Sequence, residues 1–121
     1  MKKYSESHEW VEVEGDVASV GISAYAVEQL GDITFMELPE VDAEVSKGDS
    51  AAFVESVKAA SDIYTPISGT VVEANEDLLD APESLNGDAE GIFIFKLKVS
   101  DMAELDAMMS QEDYDKYKET L

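Results

Sequence analysis

The chain has 121 residues, a size that suits one hydrophobic core, and 45% of them are hydrophobic, enough to fill it. No apolar run approaches the roughly 18 residues of a membrane span, and no apolar stretch follows Met1-Lys2-Lys3, so neither a membrane anchor nor a secretory signal is expected. Asp and Glu number 28 against 8 lysines and no arginine, and the net charge of -20 repels nucleic acid and anionic lipid while favouring basic protein partners.

The lack of cysteine excludes a disulfide framework and thiolate chemistry and is compatible with a reducing cytoplasm. Catalytic equipment is poor. His8-Glu9 resembles the start of a HExxH zinc motif, but His8 is the chain's single histidine. Gly21-Ile22-Ser23-Ala24-Tyr25 lacks the second glycine of a nucleophile elbow. The many carboxylates read as solvated surface charge before they read as acid/base pairs.

Trp10 to Glu14 alternates apolar and acidic residues, Gly15-Asp16 marks a turn, and Val17 to Ile22 resumes the alternation, which predicts a hairpin. A short helix over 24–30 follows, with Ser23 as N-cap, Ile22 and Val27 at staple spacing, and Gly31 at the C-terminal stop. Ile33 to Leu38 reads as a strand stopped by Pro39. Lys47-Gly48-Asp49 is a tight turn, and Ala51 to Val57 and Ile63 to Ile67 are two strand runs. Ser68-Gly69 turns the chain into Thr70 to Ala74. Asn75 to Asn86 is acidic and irregular with one helical turn, and Ile92 to Val99 is a long strand run. The tail is helical: Asp101 and Glu104 stand as a capping box, Leu105, Met108 and Met109 share a face, and a second helix starts at Ser110 with Tyr114 and Tyr117. Short strands at this spacing predict a sandwich or barrel, and no linker divides residues 1–121.

Lys58 stands out by position. It lies ten residues after Gly48 and eleven before Gly69, which puts it at the tip of a hairpin if each flank is a strand. Ala59 and Ala60 leave room for another protein to reach it. By geometry alone it is also an ordinary surface lysine in a turn.

The local sequence adds a resemblance. Val54-Glu55-Ser56-Val57-Lys58-Ala59 resembles the lipoyl attachment motif of glycine cleavage H proteins. Val45-Ser46-Lys47-Gly48-Asp49 and Tyr64-Thr65-Pro66-Ile67-Ser68-Gly69-Thr70-Val71-Val72-Glu73-Ala74-Asn75 resemble the turn before and the strand and turn after the modified lysine of the biotinyl/lipoyl carrier superfamily. Ser7-His8-Glu9-Trp10-Val11, Val20 to Ala26 through Leu30-Gly31-Asp32, and Phe35-Met36-Glu37-Leu38-Pro39 match H proteins in particular, and the likeness runs from about Tyr4 to Tyr117. Biotin carriers flank the lysine with methionines, and lipoyl domains of 2-oxoacid dehydrogenases have Asp-Lys-Ala and lack the helical tail. Val57 and Ala59 follow neither pattern.

The resemblance implies one lipoyl-carrier domain over residues 1–121, mostly β. Its fold is a barrel-sandwich hybrid of antiparallel sheets with a short helix in the N-terminal half and a helical C-terminus. It implies lipoate bound covalently through Lys58. Such a cytoplasmic carrier shuttles the aminomethyl group of glycine, and electrons, among the decarboxylase (P protein), the aminomethyltransferase (T protein) and the dihydrolipoyl dehydrogenase (L protein). It catalyses no step itself. Ser7, Glu9 and Asp62 match positions that shelter the loaded arm in a cleft, and Glu55 matches the acidic position read by a lipoylating enzyme. Each has an ordinary reading as a cap, turn or surface residue. The family's Pro-Tyr-Gly-Glu-Gly-Trp type stretch is replaced by Asp88-Ala89-Glu90-Gly91-Ile92, about two residues shorter and without aromatics, and Ala52 stands where a glycine is common. The altered loop keeps open a specialised H-like carrier for lipoate relay or redox signalling. From other classes, an acidic hydrolase built on Ser and His8, or an unmodified acidic adaptor, are the rival readings.

Overall fold

The computed structural model describes residues 2–121. Three strands open the chain: β1 (Lys2–Tyr4), β2 (Glu9–Glu14) and β3 (Val17–Ile22). Only Gly15 and Asp16 separate β2 from β3, with Glu14 facing Val17. Gly15 has φ 67° and Asp16 does not share the positive φ, the pattern of a tight hairpin turn whose twist suits the strands. Trp10 faces Gly21 across this pair, and a Cβ on Gly21 would lie 2.6 Å from the indole ring. The glycine is therefore a seat for the tryptophan.

Helix α1 (Ala24–Leu30) has the predicted bounds. Ser23 Oγ accepts from the Ala26 amide, Ile22 and Val27 are buried, and Gly31, at φ 80°, donates to the Val27 carbonyl. Next come β4 (Ile33–Glu37), β5 (Glu44–Val45), β6 (Ser50–Ser56), β7 (Ala60–Tyr64) and β8 (Gly69–Ala74). The second central strand is not the apolar run Ile63 to Ile67. It sits three residues earlier, because β6 sets its register from Glu55 opposite Ala60 to Ser50 opposite Tyr64. Pro66 has no amide to extend the ladder, and Ile67 is buried from a loop instead.

Two short helices, α2 (Asp77–Asp80) and α3 (Ser84–Asp88), fill the acidic segment where one turn is expected; Leu78 and Leu85 anchor them. The last strand, β9 (Phe95–Val99), begins three residues later than the run from Ile92 suggests. The tail opens as a 3-10 helix (Met102–Ala107) and ends as α4 (Gln111–Lys118). Asp101 caps as expected, but Glu104 does not close a capping box: its carboxylate accepts from the Ser68 amide and hydroxyl.

All strand pairs are antiparallel. One sheet has the order β1-β2-β3-β9-β8-β5 and the other β4-β6-β7. Their inner faces close over a main core that includes Val20, Met36, Val54, Ile63, Val71 and Leu97. A second cluster, Tyr4, Trp10 and Tyr114, holds α4 against β1. The three tail residues expected on one face divide between these cores: Leu105 and Met108 join the first, Met109 the second. An eight-residue helix is marginal by itself, so α4 depends on Tyr114 and its caps.

Candidate functional site

Lys58 is the middle residue of the three that link β6 to β7. Ser56 shapes this tip. Its Oγ accepts from the amides of Lys58 and Ala59 at 3.2 and 3.0 Å, and its own amide donates to the Ala59 carbonyl. The Val57 amide donates to the Asp32 carbonyl at 3.0 Å, which ties the tip to the end of α1. Val57, Lys58, Ala59 and Ala60 are all exposed. The Lys58 stem lies against Gly31, where a Cβ would stand 3.0 Å from its Cε. Among the described residues, the Lys58 ammonium has no ion-pair partner, the ion pairs being Lys2–Glu90, Lys116–Glu112 and Lys118–Asp115. The tip therefore presents an accessible amine on a hairpin held by Ser56 and by the Asp32 carbonyl.

A cleft of about 390 Å³ opens beside α1. Ile22, Leu30, Val54 and Ile63 give it apolar walls, and Ser7, Glu9 and Asp62 all line it. Glu55 does not; it is exposed on β6, opposite Ala60 and Phe35. Lys58 does not line the cleft either, but Gly31, which it covers, follows the cleft residue Leu30.

Glu9 is 2% exposed. Burial pushes its carboxyl up, while hydrogen bonds from the Ser7 and Ser5 hydroxyls and the Tyr64 backbone pull the other way. A buried carboxylate needs such partners. Glu9 thus holds Ser5 and Ser7 of the N-terminal turn while facing the cleft. Asp62 is exposed and accepts from Ser50 Oγ at 3.1 Å.

His8, Tyr114 and Glu90 carry roles in this region that their sequence pattern does not show. His8, between Ser7 and Glu9, has φ 73°. Its backbone is held by bonds from the His8 amide to the Ser5 carbonyl and from the Ser23 amide to the His8 carbonyl. Its Nδ1 shares a hydrogen bond with the Tyr114 hydroxyl at 2.8 Å, and that hydroxyl shares another with Ser23 Oγ at 2.7 Å. The ring also packs on Tyr25, with centroids 4.8 Å apart. Burial first, then the Lys118 ammonium, pushes the imidazole below its ordinary range. The neutral ring is consequently a brace joining the cleft's N-terminal wall to α1 and α4. Glu90, in the shortened loop, accepts from the Tyr4 hydroxyl and from the Ala24 amide at α1's first turn, and pairs with Lys2. One carboxylate thus ties β1, α1 and this loop together.

The hydroxyl that His8 meets belongs to Tyr114, and the hydroxyls at Glu9 belong to Ser5 and Ser7. Serine, imidazole and carboxylate are not assembled as a nucleophile with its base.

The family model described as Glycine cleavage H-protein matches residues 2–121. A glycine cleavage system H protein of Phenylobacterium zucineum (strain HLK1) is 53% identical over 116 residues, covering 95% of this chain and 96% of the relative. One from Thermotoga maritima is 49% identical over 118 residues, covering 97% and 95%. The crystal structure of a glycine cleavage system H protein from Mycobacterium marinum superposes with a TM-score of 0.88 at 33% identity, covering 99% of this chain and 97% of that one. The two sheets therefore form the expected barrel-sandwich hybrid. With the match running through both the hairpin of Lys58 and the helical tail, the chain belongs to the glycine cleavage H-protein family.

Proposed function

We propose that this chain is the lipoyl carrier of a glycine cleavage system and that Lys58 is its attachment residue. The observation that carries the reading is the placement of Lys58: an exposed amine at a braced hairpin tip, covering Gly31 beside an apolar cleft with a buried carboxylate in its wall. The residues present suit the group. Among the described residues the Lys58 ammonium has no ion-pair partner to give up, and Gly31 leaves space along the stem.

When bound, the lipoyl group supplies a dithiolane for group transfer and redox chemistry that side chains lack. The chain's own residues hold and shield it. Lys58 Nζ provides the amide nitrogen, and the acylation removes its charge. Ser56 keeps the tip from rearranging. The walls Ile22, Leu30, Val54 and Ile63 exclude water from the cleft, and Ser7, Glu9 and Asp62 offer polar contacts to a bound amine there. Glu55, exposed three residues before Lys58, is placed for reading by a lipoylating enzyme. Chemistry resides in the partners: the decarboxylase, the aminomethyltransferase, the dihydrolipoyl dehydrogenase and the lipoylating enzyme. The acid excess suits basic faces on them. No helix among the described residues is long and apolar enough to cross a membrane; a cytoplasmic setting belongs to the same proposal. The specialised H-like alternative draws no support from relatives that carry the glycine cleavage name.

The test is Lys58→Arg. The guanidinium stays protonated at any working pH and offers no amine lone pair, so no amide forms. The variant should melt like the parent, gain no lipoyl mass, and support no glycine-dependent NADH formation with the partner enzymes. Full activity would refute the assignment, and a collapsed melting temperature would show a structural lysine.

A further inference from the structure

Exposed apolar side chains gather beside β4. Phe35, Val41 and Leu79 are 43%, 53% and 55% exposed. All three line one groove of about 540 Å³. Its rim carries the carboxylates of Glu37, Glu40 and Glu76, and no lysine lines it. Large apolar side chains left in water beside one another gain the fold nothing and mark a contact surface.

The groove's place in the fold narrows the partner. β4 is the outer strand of its sheet, and Phe35 stands opposite Glu55 on β6. Glu55 precedes Lys58 by three residues, at most about 10 Å along an extended strand. A stable interface covers roughly 800 Å² on each partner, so a protein that closes over Lys58 also covers this end of the groove.

We propose that the groove seats the enzyme that acylates Lys58, through an apolar anchor flanked by lysine or arginine side chains. This rests on the carrier reading. Enzymes that serve the finished arm meet its far end. The acylating enzyme alone must bring its reactive carbon to Nζ and so must cover the ground around the tip. There the Lys58 ammonium first gives a proton to solvent, and the lone pair of the free amine attacks the activated lipoyl acyl group held by that enzyme. The amide bond forms, the activating group leaves with the electron pair of the broken bond, and the surplus amine proton passes to solvent. The carboxylate rim attracts the basic flanks, and the floor of Phe35, Val41 and Leu79 takes the anchor. Desolvated apolar anchors of this kind carry most of the binding energy of an interface.

The test measures initial lipoylation rates of the unmodified full chain by intact mass, across carrier concentrations, with a purified lipoylating enzyme and its activated lipoyl donor. The double variant Val41→Lys/Leu79→Lys should raise the half-saturating carrier concentration by about tenfold or more and leave the saturated rate within about twofold, because binding is lost and chemistry is not. Glu40→Lys, which spares the apolar floor, should raise it in the same direction. Met102→Lys makes the same apolar-to-lysine change at one exposed residue of the 3-10 helix, outside the groove, and should match the parent. All the altered side chains are exposed, and melting temperatures should hold. A lipoylated parent with unshifted groove variants would overturn the groove alone, as would a Met102→Lys shift as large as theirs. A parent that takes no lipoyl group would overturn the carrier reading, and the groove's occupant with it.

Discussion

Tyr114→Phe tests whether the C-terminal helix props the cleft. The change deletes one oxygen and keeps the ring, so the stack of Tyr114 on Tyr4, with centroids 4.4 Å apart, is retained. What goes is the shared partner of His8 Nδ1 and Ser23 Oγ. Ser23 is fully buried and keeps only its bond from the Ala26 amide; His8 is half-buried, so water can reach it in part. Stranding a buried polar group costs about 1–3 kcal/mol, and the partly wet histidine adds little to that. The unfolding entropy of roughly 2.1 cal/mol/K per residue gives about 0.25 kcal/mol/K over 121 residues, so Tm should fall by about 4–12 °C. Thermal and urea melts read this directly. Ammonia release from the aminomethylated carrier, without the transferase, should also quicken, because His8 holds Ser7 and Glu9 in the cleft wall. Tyr117→Phe is the control within the same helix. Its hydroxyl donates to the Glu6 carbonyl at an exposed 3.3 Å, and its loss should stay within about 0.5 kcal/mol, or about 2 °C. A Tyr114→Phe melt within about 1 °C of the parent would show that the hydroxyl bridge does not brace the fold.

His8 also sets a pH dependence. Its imidazole is pushed below the ordinary value of 6.5 by burial and then Lys118, so the unfolded chain takes up that proton first as pH falls. The stability it contributes is present above about pH 6.5 and is lost as pH drops through the folded value. Glu9, raised by burial, acts with the opposite sign, but equally in parent and variant. His8→Asn, which tolerates positive φ, should therefore have a Tm deficit that shrinks between about pH 7.5 and about pH 5; parallel profiles would reject the buried neutral histidine. Asp62→Asn, at an exposed side chain, should speed ammonia release from the loaded carrier with little change in Tm. Ser7→Ala should speed it while lowering Tm, because the buried Glu9 carboxylate loses one of its two hydroxyl donors; unchanged release rates would leave both residues as turn and surface polar groups. Gly21→Ala should lose about 1–3 kcal/mol by denaturant melt, since its Cβ would meet the Trp10 ring at 2.6 Å; an unshifted midpoint would mean that the indole moves freely.

What was legible in the sequence is what neighbouring residues decide among themselves. Two-residue alternation around Gly15-Asp16 determines the first hairpin, because side-chain period and turn geometry are both local. Ser23 and Gly31 bound α1 for the same reason: a cap needs only the amides and carbonyls of its own turn. Lys58 stands out by its distance from two turn glycines and by its motif. The tertiary structure decided the rest. β1 is too short to show a period and exists through its pairing with β2 and a bridge to Met109. β7 took Ala60, Ser61 and Asp62, poor strand formers, because β6 offered them a ladder. The brace of His8, Tyr114 and Ser23 spans separations of 106 and 91 residues, and Glu90 reaches Tyr4 across 86. Contacts at such distances leave no periodic mark in a chain. They follow from which faces the sheets bury, and polar groups brought together there must find one another once water is excluded.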